Sequence, residues 1–162
     1  MSVPLRCPGP DGWDRHGRTP AALRWDARWR SGGISAAEAR AAVGRFLERV
    51  RATGRVAVPE RLAQDAQLVV GELITNVVQH APGLCGLGVE VRPDSGQVEI
   101  SVWDTSPVPP TRRPPDGRRV GGHGMEIVGA VCRAVTVTAL PSSGKRVTAC
   151  LAPRAPGPTD AG

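Results

Sequence analysis

Apolar residues recur along this chain with two periods, one near 3.6 and one of two, and the switches between them mark out the elements. Behind Ser35-Ala-Ala-Glu38, the residues Ala39, Ala42, Val43, Phe46, Leu47 and Val50 fall on one side of a helix, which predicts a first helix over 35–52. Ser35 and Glu38 have capping-box spacing: the serine oxygen accepts from a free amide while the glutamate reaches back. Pro59 suits the first position of a second helix, where its missing N–H costs nothing. Leu62, Ala66, Val69, Val70, Leu73, Ile74, Val77 and Val78 carry that helix to about residue 81 on a broad apolar stripe. Pro82-Gly83 stops it.

The period then shortens to two. Residues 87–91 and 98–103 alternate, and Pro93-Asp-Ser-Gly96 between them predicts a hairpin. Residues 22–29 alternate imperfectly, as an edge strand can. From 105 to 120 the chain is rich in Pro and Arg without periodicity, a long loop of the kind often used as a lid. Gly121-Gly-His-Gly124 leads into a short helix over 125–131, and strands over 134–140 and 146–151 flank a turn at Ser142-Ser-Gly-Lys145. The aperiodic residues 1–20 form an arm and 153–162 a tail, leaving one domain over 21–152. Strict strand–helix alternation is missing. The order predicts an α+β fold, a two-layer α/β sandwich with a mostly antiparallel mixed sheet and helices on one face.

Composition narrows the classes. Of 162 residues, 40% are hydrophobic and 22% charged, which suits a globular domain rather than a disordered chain. No apolar run has the length of a membrane span and the start lacks a secretory pattern, so a cytoplasmic location and no membrane partner are expected. Cys7, Cys85, Cys132 and Cys150 are scattered, without zinc or redox spacing. The net charge of +6 favours an anionic ligand. Every basic residue except Lys145 is an arginine, and these are dispersed; with 3% aromatics, direct nucleic-acid binding is not expected.

Four places can carry chemistry. Glu72, Asn76 and His80 lie four apart on one line of the second helix. Glu72 and Asn76 are either ordinary border residues of the stripe, or a carboxylate beside a nucleophile and a carbonyl oxygen offered to Mg²⁺, which prefers oxygen ligands. His80, near the helix end, reads as structural. Asp104 ends a strand; it is either a turn former or an acceptor for an exocyclic amine such as that of adenine. Gly122-His123-Gly124 is either a hinge or a place where backbone and helix amides meet phosphate. Gly144-Lys145 lacks the upstream glycine and following hydroxyl of a P-loop.

Taken in order, Glu72-Leu-Ile-Thr-Asn76-Val-Val-Gln-His80-Ala81, Trp103-Asp104, Gly122-His-Gly124-Met125 and Gly144-Lys145 resemble the N, G1, G2 and terminal boxes of the GHKL ATPase superfamily. Within it the chain is similar to the RsbW-like anti-sigma-factor serine/threonine kinases, over roughly residues 20–152. The resemblance implies the Bergerat ATP-binding fold, with ATP and Mg²⁺ as cofactors. It implies Glu72 as the catalytic carboxylate, Asn76 as the metal ligand and Asp104 as the adenine contact. Gly122, His123, Gly124 and Met125 would then lie near the phosphates, and Gly144 and Lys145 would complete the nucleotide site. The implied partners are an anti-anti-sigma (STAS-type) protein that is phosphorylated, a sigma factor that is sequestered, and a second copy in a homodimer. Arg112, Arg113, Arg118 and Arg119 fall in the expected lid. Two departures stand out: Thr105-Ser106-Pro107 follows Asp104 where a glycine is common, and Arg146 stands where a threonine often follows Gly-Lys. They leave a second reading, an ATP-binding anti-sigma or partner-switching module without transfer activity. A sensor histidine kinase fragment is a weaker third.

Overall fold

In a computed structural model of the chain, residues 21–30, 32–106, 123–141 and 143–154 are described. The expectations for the arm at 1–20, for Gly122, for the four lid arginines and for the tail from 155 lie outside them. The elements are β1 (Leu23–Arg30), α1 (Ala36–Ala52), α2 (Glu60–His80), β2 (Leu84–Val91), β3 (Val98–Asp104), α3 (Gly124–Val131), β4 (Ala134–Ala139) and β5 (Lys145–Leu151).

Local chemistry sets the helix boundaries. The Ser35 hydroxyl accepts from the Glu38 amide at 3.1 Å, and the Glu38 carboxylate accepts from the Ser35 amide at 2.7 Å, so the expected box starts α1. Pro59 is the N-cap of α2 rather than its first helical residue, with extended ψ of 149°. Both helices bury the stripes read from the sequence: Ala39, Val43, Phe46, Leu47 and Val50 on α1, and Leu62, Ala66, Val69, Val70, Leu73, Ile74 and Val77 on α2. Two positions depart from the stripes: Val78, at the border on α2, is exposed, and Ala42 on α1 is half-buried.

The five strands form one sheet in the order β1-β2-β3-β5-β4. Each neighbouring pair is antiparallel. The expected parallel relation exists only at a distance: α3 returns the chain so that β3 and β4 run the same way, and β5 is inserted between them. β2 starts three residues before the alternating run, because Leu84, Cys85 and Gly86 are held on one side by Arg30, Trp29 and Arg28, and Cys85 and Gly86 on the other by Asp104 and Trp103. Pairing on both edges overrides a weak local pattern.

One face of the sheet is the core. Cys85, Leu87, Val89 and Val91 of β2, Val98, Ile100 and Val102 of β3, and Val147, Ala149 and Leu151 of β5 join the buried stripes of α1 and α2 and Val128 of α3 in a single cluster. On this same face, at the end of the central strands, the apolar row gives way to the buried Asp104 and Lys145.

Candidate functional site

The helix layer brings two of the expected places together. Glu72 and Asn76 are half-buried on α2, and His80 is exposed. α3 crosses the helix at Gly124, its first residue, where a Cβ would lie 2.6 Å from Glu72 Oε2. A larger residue at this position would displace the Glu72 carboxylate from its place at the head of α3. The first amides of an α-helix lack intrahelical acceptors, and the macrodipole makes that end attractive to anions. His123 is the N-cap of α3 but makes no side-chain cap; its Nδ1 lies 3.0 Å from Glu126 Oε2 instead. Met125 is half-buried against the main core.

The sheet holds the other two places together. Asp104 and Lys145 are directly opposed in the β3–β5 register, and both point to the helix face. Asp104 Oδ1 accepts from Lys145 Nζ at 3.0 Å and from the Ser106 amide at 2.8 Å. Lys145 Nζ donates a further bond to the Ser106 carbonyl at 3.3 Å. The pair is almost sealed, with side chains 5% and 3% exposed. Gly144 makes this possible. Its φ of +124° favours glycine, and a Cβ would strike the Asp104 carbonyl oxygen. The terminal Gly-Lys pair therefore acts on Asp104 directly: the glycine by close approach, the lysine by charge.

The sequence did not disclose two neighbours of Asp104. Cys85 sits opposite it in the β2–β3 register. Burial, and then the Asp104 charge, push the Cys85 thiol above its ordinary value. Thr105 fixes the next turn by donating to the Pro82 carbonyl at 3.0 Å, beside Gly83. The Asp-Thr-Ser signature suggested a turn, but which strand faces Asp104 is a matter of register, and no local pattern carries it.

The described residues contain no group of three or more His, Cys, Asp or Glu side chains that could hold a metal ion. A cation shared with phosphate and water needs no such cage, and the donors along α2, the Glu72 carboxylate and the Asn76 amide oxygen, are hard oxygens of the type Mg²⁺ takes. Nor is any described helix long and apolar enough to cross a membrane.

Comparison with known proteins adds three findings. The model of a family described as a histidine kinase-like ATPase domain matches residues 34–151. No curated protein sequence matches. Among solved structures, the RsbU and RsbW domains of Rv1364c from Mycobacterium tuberculosis share the fold with a TM-score of 0.56 at 14% identity. That likeness covers 80% of this chain and 32% of the other, so this chain spans about a third of its length.

Proposed function

From the premise that this chain belongs to the histidine kinase-like ATPase family, we propose that it is an ATP-dependent, Mg²⁺-assisted protein serine/threonine kinase of the anti-sigma-factor type. The family membership carries the ATP-binding domain. The observation that supports a phosphate site in it is the contact between Gly124, at the head of α3, and Glu72 on α2, with Asn76 half-buried one turn further along.

In this reading, ATP supplies the phosphoryl group and Mg²⁺ neutralises charge as it moves. The chain's own residues do the positioning, on which phosphoryl transfer chiefly depends. The free amides at the start of α3 take phosphate oxygens, Asn76 offers its carbonyl oxygen to the cation, and Glu72 orients the acceptor hydroxyl and receives its proton. Asp104 reads the exocyclic amine of adenine with the oxygen that Lys145 does not hold. The protein substrate is a STAS-type anti-anti-sigma protein, the sequestered partner is a sigma factor, and the kinase works as a cytoplasmic homodimer. Among solved structures, the one carrying RsbU and RsbW domains supports the partner-switching part of this reading.

The test is calorimetry with Mg-ATP on the wild type and on Asn76→Ala, followed by transfer from labelled ATP to candidate STAS proteins. Binding lost in Asn76→Ala, and transfer lost in Glu72→Ala with binding kept, are the expected results. No adenine nucleotide binding by folded wild type overturns the reading. One observation favours a second reading, a non-catalytic ATP-binding module: Asp104 is already committed to Lys145 through one carboxylate oxygen. Nucleotide-dependent partner binding with no phosphate transferred to any STAS protein would select it.

A further inference from the structure

Asp104 and Lys145 face each other across β3 and β5, and the backbone of Ser106 clamps them both. Its amide donates to Asp104 Oδ1 at 2.8 Å, and its carbonyl accepts from Lys145 Nζ at 3.3 Å. With the 3.0 Å bond between the two side chains, Oδ1 accepts twice and Nζ donates twice. Among the described residues nothing donates to the second carboxylate oxygen, Oδ2. Oδ2 is nevertheless not a sealed atom, so the 3% of the Asp104 side chain that stays open includes it. An ammonium carries three hydrogens, which leaves Nζ one more to donate beside that open acceptor.

Stability does not account for the pair, because a buried ion pair is often no better than apolar side chains of similar volume. Reading an amine does not require the lysine either. A carboxylate oxygen accepts from an exocyclic amine by itself. What the ammonium adds is a donor at a place that would otherwise hold only acceptors.

Purines divide on that difference. Adenine carries a 6-amine, a donor, next to a bare ring N1. A 6-oxopurine carries a carbonyl oxygen, an acceptor, next to an N1 hydrogen. Against a carboxylate alone that carbonyl would meet another acceptor where water is excluded. Leaving buried polar groups unpaired is what makes such a site reject a ligand. Against Asp104 and Lys145 together, both classes find partners. Adenine sets its amine on Oδ2, whereas a 6-oxopurine sets its carbonyl on Nζ and its N1 hydrogen on Oδ2. The pair is neutral as a unit, so exchanging donor and acceptor on the base brings no penalty in net charge.

We propose that Lys145 opens the nucleotide site to 6-oxopurine triphosphates as well as ATP. The proposal rests on the reading of Asp104 as the base contact. Lys145 is then a specificity-determining residue, and the donor class is purine nucleoside triphosphates rather than adenine nucleotides alone.

The test is calorimetry with the Mg²⁺ complexes of ATP and inosine triphosphate, whose bases differ only in the 6-substituent and the N1 hydrogen. Inosine triphosphate should bind wild type within about tenfold of ATP, where a lone carboxylate would reject it by orders of magnitude. In Lys145→Met the ratio of affinities should move against inosine triphosphate by about tenfold or more, the worth of a hydrogen bond from a charged donor. Thermal melts check that this variant is folded. A second readout needs no variant: Lys145 is the only lysine in the chain, so ¹⁵N-lysine labelling gives a single Nζ resonance. Saturation with inosine triphosphate should shift it. With ATP bound, a gap wider than about tenfold in the wild type overturns the proposal and leaves the ATP reading intact. An Nζ resonance that inosine triphosphate does not move, or a folded Lys145→Met with the wild-type ratio, does the same. Wild type that binds neither nucleotide overturns both the proposal and the base contact beneath it.

Discussion

Lys145 is the side chain on which the interior end of the sheet depends. Its ammonium and the Asp104 carboxylate are both withdrawn from water, and each is the other's compensation. Removing one charge strands the other, which costs about 3–5 kcal/mol, whereas removing both can be nearly neutral. Lys145→Met should thus be strongly destabilised in urea unfolding, and Asp104→Asn/Lys145→Met should recover most of the loss. The Cys85 thiol shares this corner. Because its folded pKa lies above the ordinary thiol value of about 9.0, the folded state holds a proton that the unfolded chain gives up first. Its contribution is complete below the unfolded value and disappears as pH rises through the folded one. Stability should therefore decline above about pH 9, with a smaller decline in Cys85→Ala, checked by denaturant melts across that range.

Helix ends and crossings are the next scale. Ser35→Ala should cost α1 about 1 kcal/mol in unfolding free energy, since the oxygen that accepts from the Glu38 amide is removed. Glu38 has a lowered pKa, first through its bond from the Ser35 backbone amide and then through the Ser35 side chain. Its cap is present above the unfolded value near 4.5 and is lost as pH falls, so wild type and Glu38→Ala should converge in stability in acid. At the α2–α3 crossing, Gly124→Ala would push against the Glu72 carboxylate. The expected result is weaker Mg-ATP binding with a near-native melt, read by calorimetry beside a thermal scan.

At this scale it is also plain what the sequence discloses. The capping box, the two stripes and the hairpin turn at Pro93-Asp-Ser-Gly96 each specify their element locally, and all three appear where the periodicity puts them. That Glu72, Asn76 and His80 share one line of α2 is legible for the same reason, since a spacing of four on a helix fixes a common face. The early start of β2, the insertion of β5 between β3 and β4, and the Asp104–Lys145–Cys85 cluster were not legible. Each depends on which strand lies beside which, and residues some forty positions apart in the chain carry no mark of being neighbours.

For the molecule as a whole, ligand linkage gives the broadest check. A site that binds only the folded chain raises its stability by an amount that grows with free ligand, about 2.7 kcal/mol at a hundredfold excess over Kd. Mg-ATP should raise the melting temperature of the wild type in a concentration-dependent way, and Asn76→Ala should melt at the same temperature with or without it.

The insertion of β5 also has a consequence in time. The strand that unites β3 with β4 is the last of the five to be synthesised, so a nascent chain on the ribosome displays one open edge of β3, already paired to β2 on its other side, and a β4 without any strand partner, on either side of an empty slot. Until residue 151 clears the exit tunnel, that slot is open to any extended polypeptide nearby, and Asp104 has no lysine to meet. Chaperone capture, rather than spontaneous closure, is the fate to look for in ribosome-stalled chains ending before Lys145.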